Sequence, residues 1–215
     1  IPKVTIEIGY NHLGSKFLLD SLINNLLDSD FDLTFQYRTT KINDFNPECS
    51  LQLEIEYLIE IKDRIKNHKL FKNEIGIAID SFDNYQFFSK HFDFIKVLSF
   101  TENKSEFLCN LDEKKPIYFS CGTENYDEIE FYDSVSKERN IPLNFIYTSF
   151  DVSGNDISKK EIDQVHKLND LISFGLHQDK KEFIYVISSL FNLDRVFIYL
   201  NPGFSKEDLI LIPDS

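Results

Sequence analysis

A parallel α/β fold is predicted by three observations. Short β-branched and apolar runs alternate along the chain with longer segments of helical periodicity. The connections are short, Pro is sparse, and no low-complexity stretch, domain linker or short repeat interrupts the alternation. Polar residues gather at the C-terminal ends of the strand-like runs, the edge on which parallel sheets carry their sites. The pattern places eight strands, near 3–8, 31–36, 75–79, 94–98, 116–119, 143–148, 171–174 and 195–200. Helices are placed near 15–28, 48–68, 84–91, 104–111, 126–139, 158–168 and 180–191. This succession fits a closed barrel or a large open doubly wound sheet, and periodicity alone does not separate the two.

The first strand sets the pattern. Side chains alternate faces, so Thr5 and Glu7 share one side and Val4, Ile6 and Ile8 the other. Glu7 is followed by Gly9, Asn11, His12 and Gly14, which puts a carboxylate, an amide and an imidazole on one turn before a helix carrying Phe17, Leu18, Leu22, Ile23, Leu26 and Leu27 at helical spacing. These are the candidate catalytic residues Glu7, Asn11 and His12. The plainer reading of the same turn is that Asn11 or Ser15 caps the helix and His12 packs. In the second strand Thr34 and Gln36 share a face, and Arg38 joins them if the strand runs that far. Asp80-Ser81-Phe82-Asp83 follows the third strand, and Asp80 and Ser81 fit either a phosphate contact at Ser81 or a helix cap. Lys96 in the fourth strand lies opposite Ile95 and Val97, with Ser99 after it, as a site lysine or a snorkelling one. The fifth strand ends Ser120-Cys121-Gly122, where a hydroxyl and the backbone around a glycine can wrap an anion or simply form a turn. His177 follows the seventh strand, and Asn201-Pro202-Gly203 follows the eighth.

The stretch E-I-G-Y-N-H-L-G at Glu7–Gly14, followed by Phe35-Gln36 at a strand end, resembles the opening of the sialic acid synthase family. Lys96 and Ser99 match that family's K-I-x-S strand end. Lys115-Pro116 through Ser120 and Gly122, with Glu128-Ile129 after it, resembles its P-v-i-x-S-T-G strand and following E-I. The resemblance runs strand by strand over nearly the whole chain. It implies a compact (β/α)8 TIM barrel, here with the last helix short or missing. Residues 1–215 are then expected to form a single barrel domain, without the family's C-terminal antifreeze-like domain, which lends an arginine to the partner subunit's sugar site.

The resemblance also implies a reaction, the condensation of phosphoenolpyruvate with an N-acylated amino sugar in acidic-sugar or surface-polysaccharide synthesis. Glu7 would orient the sugar or a water. Gln36, Arg38, Ser81, Lys96, Ser99, Ser120 and Gly122 would bind substrate, and His177 would hold a divalent Mn or Mg ion. Three positions depart from the family. Thr34 stands where it has a lysine, Leu176 where it has an aspartate, and Leu200 where it has the second metal-ligating histidine. Losing a lysine weakens charge-assisted binding of a phosphate, for which Arg38 is the candidate replacement. A lone imidazole is a poor divalent site, so the cofactor expectation is one ion or none. The expected activity is weakened or altered, and the alternative is a non-catalytic relic that binds a phosphorylated or acidic sugar or serves as a partner subunit.

Charge narrows the partners. With 36 Asp and Glu against 23 Lys and Arg, the field of the chain repels phosphate backbones, which argues against nucleic acid and anionic membrane. The cysteines, Cys49, Cys109 and Cys121, are too far apart for a C-x-x-C knuckle, and together with the absence of a long apolar run they point to a cytoplasmic setting. A barrel short of its last helix leaves an apolar groove, so a homodimer is expected, which a light-scattering mass would test.

Overall fold

The computed structural model describes residues 2–39, 51–112, 115–121, 124–148, 172–176 and 193–199. The chain alternates strand and helix from the start. The order is β1 (Lys3–Ile8), α1 (Lys16–Asn24), β2 (Asp32–Tyr37), α2 (Ile55–Lys66), β3 (Ile75–Ile79), α3 (Tyr85–His91) and β4 (Ile95–Val97). It continues with α4 (Lys104–Asn110), β5 (Ile117–Cys121), α5 (Tyr126–Arg139), β6 (Leu143–Thr148), β7 (Ile172–Leu176) and β8 (Leu193–Tyr199). All strands pair in parallel and in sequence order, and β8 returns to β1 through Lys3↔Arg195 to Glu7↔Tyr199, so the sheet curls into a TIM-like barrel. Helices follow each of β1 to β5. The helices expected at 158–168 and 180–191, and everything after residue 199, lie outside the described residues.

Period-two alternation sorts side chains between two cores. Ile6, Ile8, Leu33, Phe35, Ile75, Ile77, Ile79, Ile95, Val97, Ile117 and Phe119 face outward and are covered by the helices through residues such as Leu19, Ile23, Leu58, Ile61, Ile65 and Phe88. The inward residues form a smaller cluster of Phe94, Tyr118, Ile146 and Phe197. Three of its rings meet edge to face, Phe94 with Tyr118 at 5.5 Å and Tyr118 with Phe197 at 5.4 Å between centroids. Gly76 makes room for them. A Cβ there would lie 2.1 Å from the Phe94 ring, inside contact distance.

Two helices are shorter than their apolar spacing suggests. α1 stops at Asn24, and Leu26 and Ser29 continue as tight turns with N–H groups donating to Ile23 and Leu26 carbonyls. The Asn24-Asn25 pair favours such an exit, while Leu26 and Leu27 still reach the core. α2 begins at Ile55, after Gln52 is drawn away to accept from the Arg38 N–H at 3.0 Å and Glu54 is extended, and residues 48–50 of the expected helix lie outside the described residues. No described helix is long and apolar enough to cross a membrane.

Candidate active site

The interior of the barrel carries its polar centre toward the C-terminal ends of the strands. Glu7, fully buried on β1, accepts from Gln36 Nε2 at 2.8 Å and from Lys96 Nζ at 2.6 Å. The register explains the meeting. Gln36, Ala78 and Lys96 are paired across β2, β3 and β4, and the small Ala78 between them leaves space for two long side chains to reach back to β1. A buried carboxylate with two charge-assisted donors is well compensated. Because that carboxylate only accepts, the Gln36 amide must turn its nitrogen to it. Its Oε1 then faces Gly9, where a Cβ would approach to 3.3 Å. The Oε1 of Gln36, the hydroxyl of Thr34 and the hydroxyl of Ser120 are buried without a hydrogen-bond partner among the described residues. Such atoms are costly in a core and expected where a ligand or water completes them.

Above β1 the turn is held by its own polar groups. Asn11 Oδ1 accepts from the Gly9 N–H and His12 Nδ1 from the Gly14 N–H, each at 3.0 Å. Leu13 and Gly14 are left-handed, with φ of 50° and 71°, which favours glycine at the second position. Ser15 caps α1 by accepting from the Leu18 N–H at 3.3 Å. Burial lowers the His12 pKa to about 4, so the ring is neutral, and with Nδ1 accepting its proton sits on Nε2. The capping part of the plainer reading is met at Ser15. Asn11 and His12 shape the loop beside Glu7.

The remaining candidates fall in two places. Arg38 is buried just beyond β2, with its guanidinium 4.7 Å from the Phe100 ring. The neighbouring Thr39 donates its N–H and hydroxyl to Asp80 at 2.9 and 3.2 Å. Ser81 accepts from the Asp83 N–H at 3.2 Å and lines a cavity of about 490 Å³ with Asp80, Phe82, Phe100, Glu102 and Phe107. Ser99, in the turn after β4 rather than in the strand, and Ser120 on β5 are joined by Lys104, whose ammonium donates to the Ser99 carbonyl at 2.7 Å and the Ser120 carbonyl at 3.2 Å and pairs with Glu124. A second cavity, of about 410 Å³, is lined by Ser99, Thr101, Lys104, Glu124, Glu128 and Tyr132. Cys121 is buried with its thiol pushed up by burial, an unreactive form. Gly122, His177 and Leu200 lie outside the described residues, as do the side chains of β7, Leu176 among them.

Among the described residues no three His, Cys, Asp or Glu side chains come together as metal ligands. Glu7 is committed to a lysine and a glutamine. His177, the residue expected to hold a divalent ion, lies outside the described residues.

Sequence reading missed Lys104, Glu124 and Arg195. Arg195 on β8 is 1% exposed and lies over the rings of Phe94 and Tyr118 at 4.5 and 5.0 Å, with Asp32 at 3.3 Å and Glu74 also paired to it. Its parity with Phe197 was the one local signal for an inward-facing arginine. Lys104, at a helix start among polar residues, offered none.

No family model matches the sequence, and no curated protein matches it. Solved structures do. The N-acetylneuraminic acid (sialic acid) synthetase of Leptospira borgpetersenii superposes with a TM-score of 0.75 at 17% identity, covering 94% of this chain and 74% of that one. Spore coat polysaccharide biosynthesis protein E of Chromobacterium violaceum gives 0.77 at 16%, covering 97% and 68%. A Bacillus subtilis spore coat polysaccharide biosynthesis protein gives 0.73 at 15%, covering 99% and 64%. The likeness expected from the Glu7–Gly14 turn and the later strand ends is thus met in three dimensions, and the chain has the fold that these sialic acid synthase and spore coat polysaccharide biosynthesis structures share over the matched region.

Proposed function

We propose that this chain is a divergent (β/α)8 barrel of the sialic acid synthase type, joining phosphoenolpyruvate to an N-acylated amino sugar in weakened or altered form. The Glu7, Gln36 and Lys96 cluster carries this reading, since it sets a carboxylate, an amide and an ammonium at the strand ends where a barrel does chemistry. In the proposed reaction the methylene carbon of phosphoenolpyruvate bonds to the sugar aldehyde carbon, and the aldehyde oxygen takes a proton. Water adds to the cationic carbon left behind, and phosphate leaves as the ketone forms. Glu7 would orient the sugar or the water by accepting from it. Lys96, Ser99 and Ser120 would hold the phosphoenolpyruvate, and Gln36 Oε1 would accept from a sugar hydroxyl or amide. The buried, neutral His12 would keep the β1 turn rigid over them.

One observation favours a second reading, a non-catalytic relic that binds an acidic or phosphorylated sugar. The charge of Lys96 is already balanced by Glu7, and Thr34, at the level of Glu7 on β2, adds no cation. Phosphate release from phosphoenolpyruvate with Mn²⁺ and a panel of N-acyl amino sugars decides between them. Sugar-dependent release, abolished in Glu7→Ala, is the outcome expected of the enzyme. No release at high protein concentration leaves the relic.

A further inference from the structure

The feature the proposed reaction leaves unexplained is a buried lysine between two of its binding serines. Lys104 opens α4 yet is 3% exposed, and its three donors meet three acceptors: the Ser99 carbonyl at 2.7 Å, the Ser120 carbonyl at 3.2 Å, and the carboxylate of Glu124. Local preferences oppose this arrangement. A cation in the first turn faces the positive end of the helix dipole, and the preceding Asn103 is left-handed with φ of 59°. Tertiary contacts must offset both.

The effect is to tie neighbouring strands. Val97 pairs with Phe119, so the chain just past β4 and the end of β5 lie side by side, and one ammonium holds a carbonyl from each. A carbonyl bound to an ammonium repels an arriving anion less. The tie also uses the Ser120 carbonyl and leaves the Ser120 hydroxyl, buried and without a hydrogen-bond partner among the described residues, for something else. Ser99 and Lys104 also line the cavity of about 410 Å³.

We propose that Lys104 is a positioning residue for an anionic substrate group, setting the Ser99 and Ser120 backbones at the spacing at which their hydroxyls grip one phosphate or carboxylate, with Glu124 holding Lys104 in place. This rests on the anion-binding role given to the two serines above. Lys104 need not touch the ligand.

Calorimetric titration with phosphoenolpyruvate, and separately with an N-acyl amino sugar, tests it on the wild type, Lys104→Met, Lys104→Arg and Glu124→Gln. Lys104→Met should weaken phosphoenolpyruvate about tenfold or more and leave the sugar within about twofold, and Lys104→Arg should recover most of the loss. A merely structural lysine would weaken both ligands together or neither, and either result overturns the inference. Should Lys104→Met fail to fold, Glu124→Gln decides, with an expected loss of about threefold for phosphoenolpyruvate alone and an unchanged affinity overturning it. A wild type that binds no phosphoenolpyruvate sinks the anion reading itself and this inference with it, whereas a folded Lys104→Met that binds like wild type sinks the inference alone.

Discussion

The barrel holds a buried ionic centre at each end, and the two are built differently. At the N-terminal floor, Arg195 faces Asp32 and Glu74, donates to the Thr5 hydroxyl at 3.2 Å, and rests on the rings of Phe94, Tyr118 and Phe197. Asp32 in turn accepts from the Glu74 N–H at 2.7 Å, so the cation is bound into the backbone as well. At the mouth, Lys96 meets Glu7 and Gln36 supports the carboxylate, while neutral polar atoms of Thr34, Gln36 and Ser120 find no hydrogen-bond partner among the described residues. The atoms left over at the floor, Arg195 Nε and Asp32 Oδ2, belong to groups already in ion-pair or ring contact. The floor therefore reads as closure of the barrel and the mouth as a place kept open to something else.

The largest effect should come from breaking the floor. Arg195→Met leaves the buried Asp32 carboxylate without its cation, while the partly exposed Glu74 keeps Lys3, and should cost on the order of 3–5 kcal/mol in urea denaturation. Burial pushes the Tyr118 hydroxyl up to about 12, so it stays a neutral phenol at that end. A loss under about 1 kcal/mol would mean that the rings, not the ion pairs, hold that end.

Next in size is the response to acid, which should differ between the two ends. The folded pKa of His12 is depressed from 6.5 to about 4, so the unfolded chain binds the proton first as pH falls. Stability from this group is complete above 6.5, declines between 6.5 and about 4, and is then flat, a loss on the order of 3 kcal/mol. At the floor, burial works to raise Glu74, but the hydrogen bonds and charges of Arg195 and Lys3 outweigh it and lower the carboxyl from 4.5. Its contribution is present above 4.5 and lost as pH falls through the lowered value, while Asp32, raised by burial, works in the opposite sense. Thermal melts across pH should show the first decline in wild type and lack it in His12→Gln. A decline that persists in that variant would place the titration elsewhere.

The smallest and most direct comparison is one substitution made at both ends. Thr5→Val removes the acceptor of Arg195 and should destabilise by about 1–2 kcal/mol. Thr34→Val removes a buried hydroxyl that has no partner among the described residues, and should be neutral or stabilise by up to about 1 kcal/mol. Equal losses in chemical denaturation would erase the distinction between floor and mouth.

Much of the mouth was legible in the sequence because its signals are local. Glu7 ends a strand before a glycine turn, Gln36 and Lys96 sit at inward parity on theirs, and each reads from its own few neighbours. Arg38 was chosen on parity and Ser81 on its place in the turn after β3, and Phe100 neighbours both, through its ring at Arg38 and through the cavity it lines with Ser81. The ends of α1 and α2 were overrun. Apolar spacing continues past Asn24 and begins before Ile55, while the backbone is claimed by turn and side-chain hydrogen bonds that spacing does not encode.

By itself the sequence determined the succession of strands and helices, the inward parity of each strand and the carboxylate at the head of the site, since all of these follow from periodicity and turn chemistry over a dozen residues. Only the tertiary structure decided which inward residues face one another. Arg195 finds Thr5 across 190 positions, and Lys96 finds Glu7 across 89. Those pairs exist because β8 closes on β1 and because Ala78 and Gly76 leave the interior room for long side chains, and closure and volume belong to the assembled barrel rather than to any one segment.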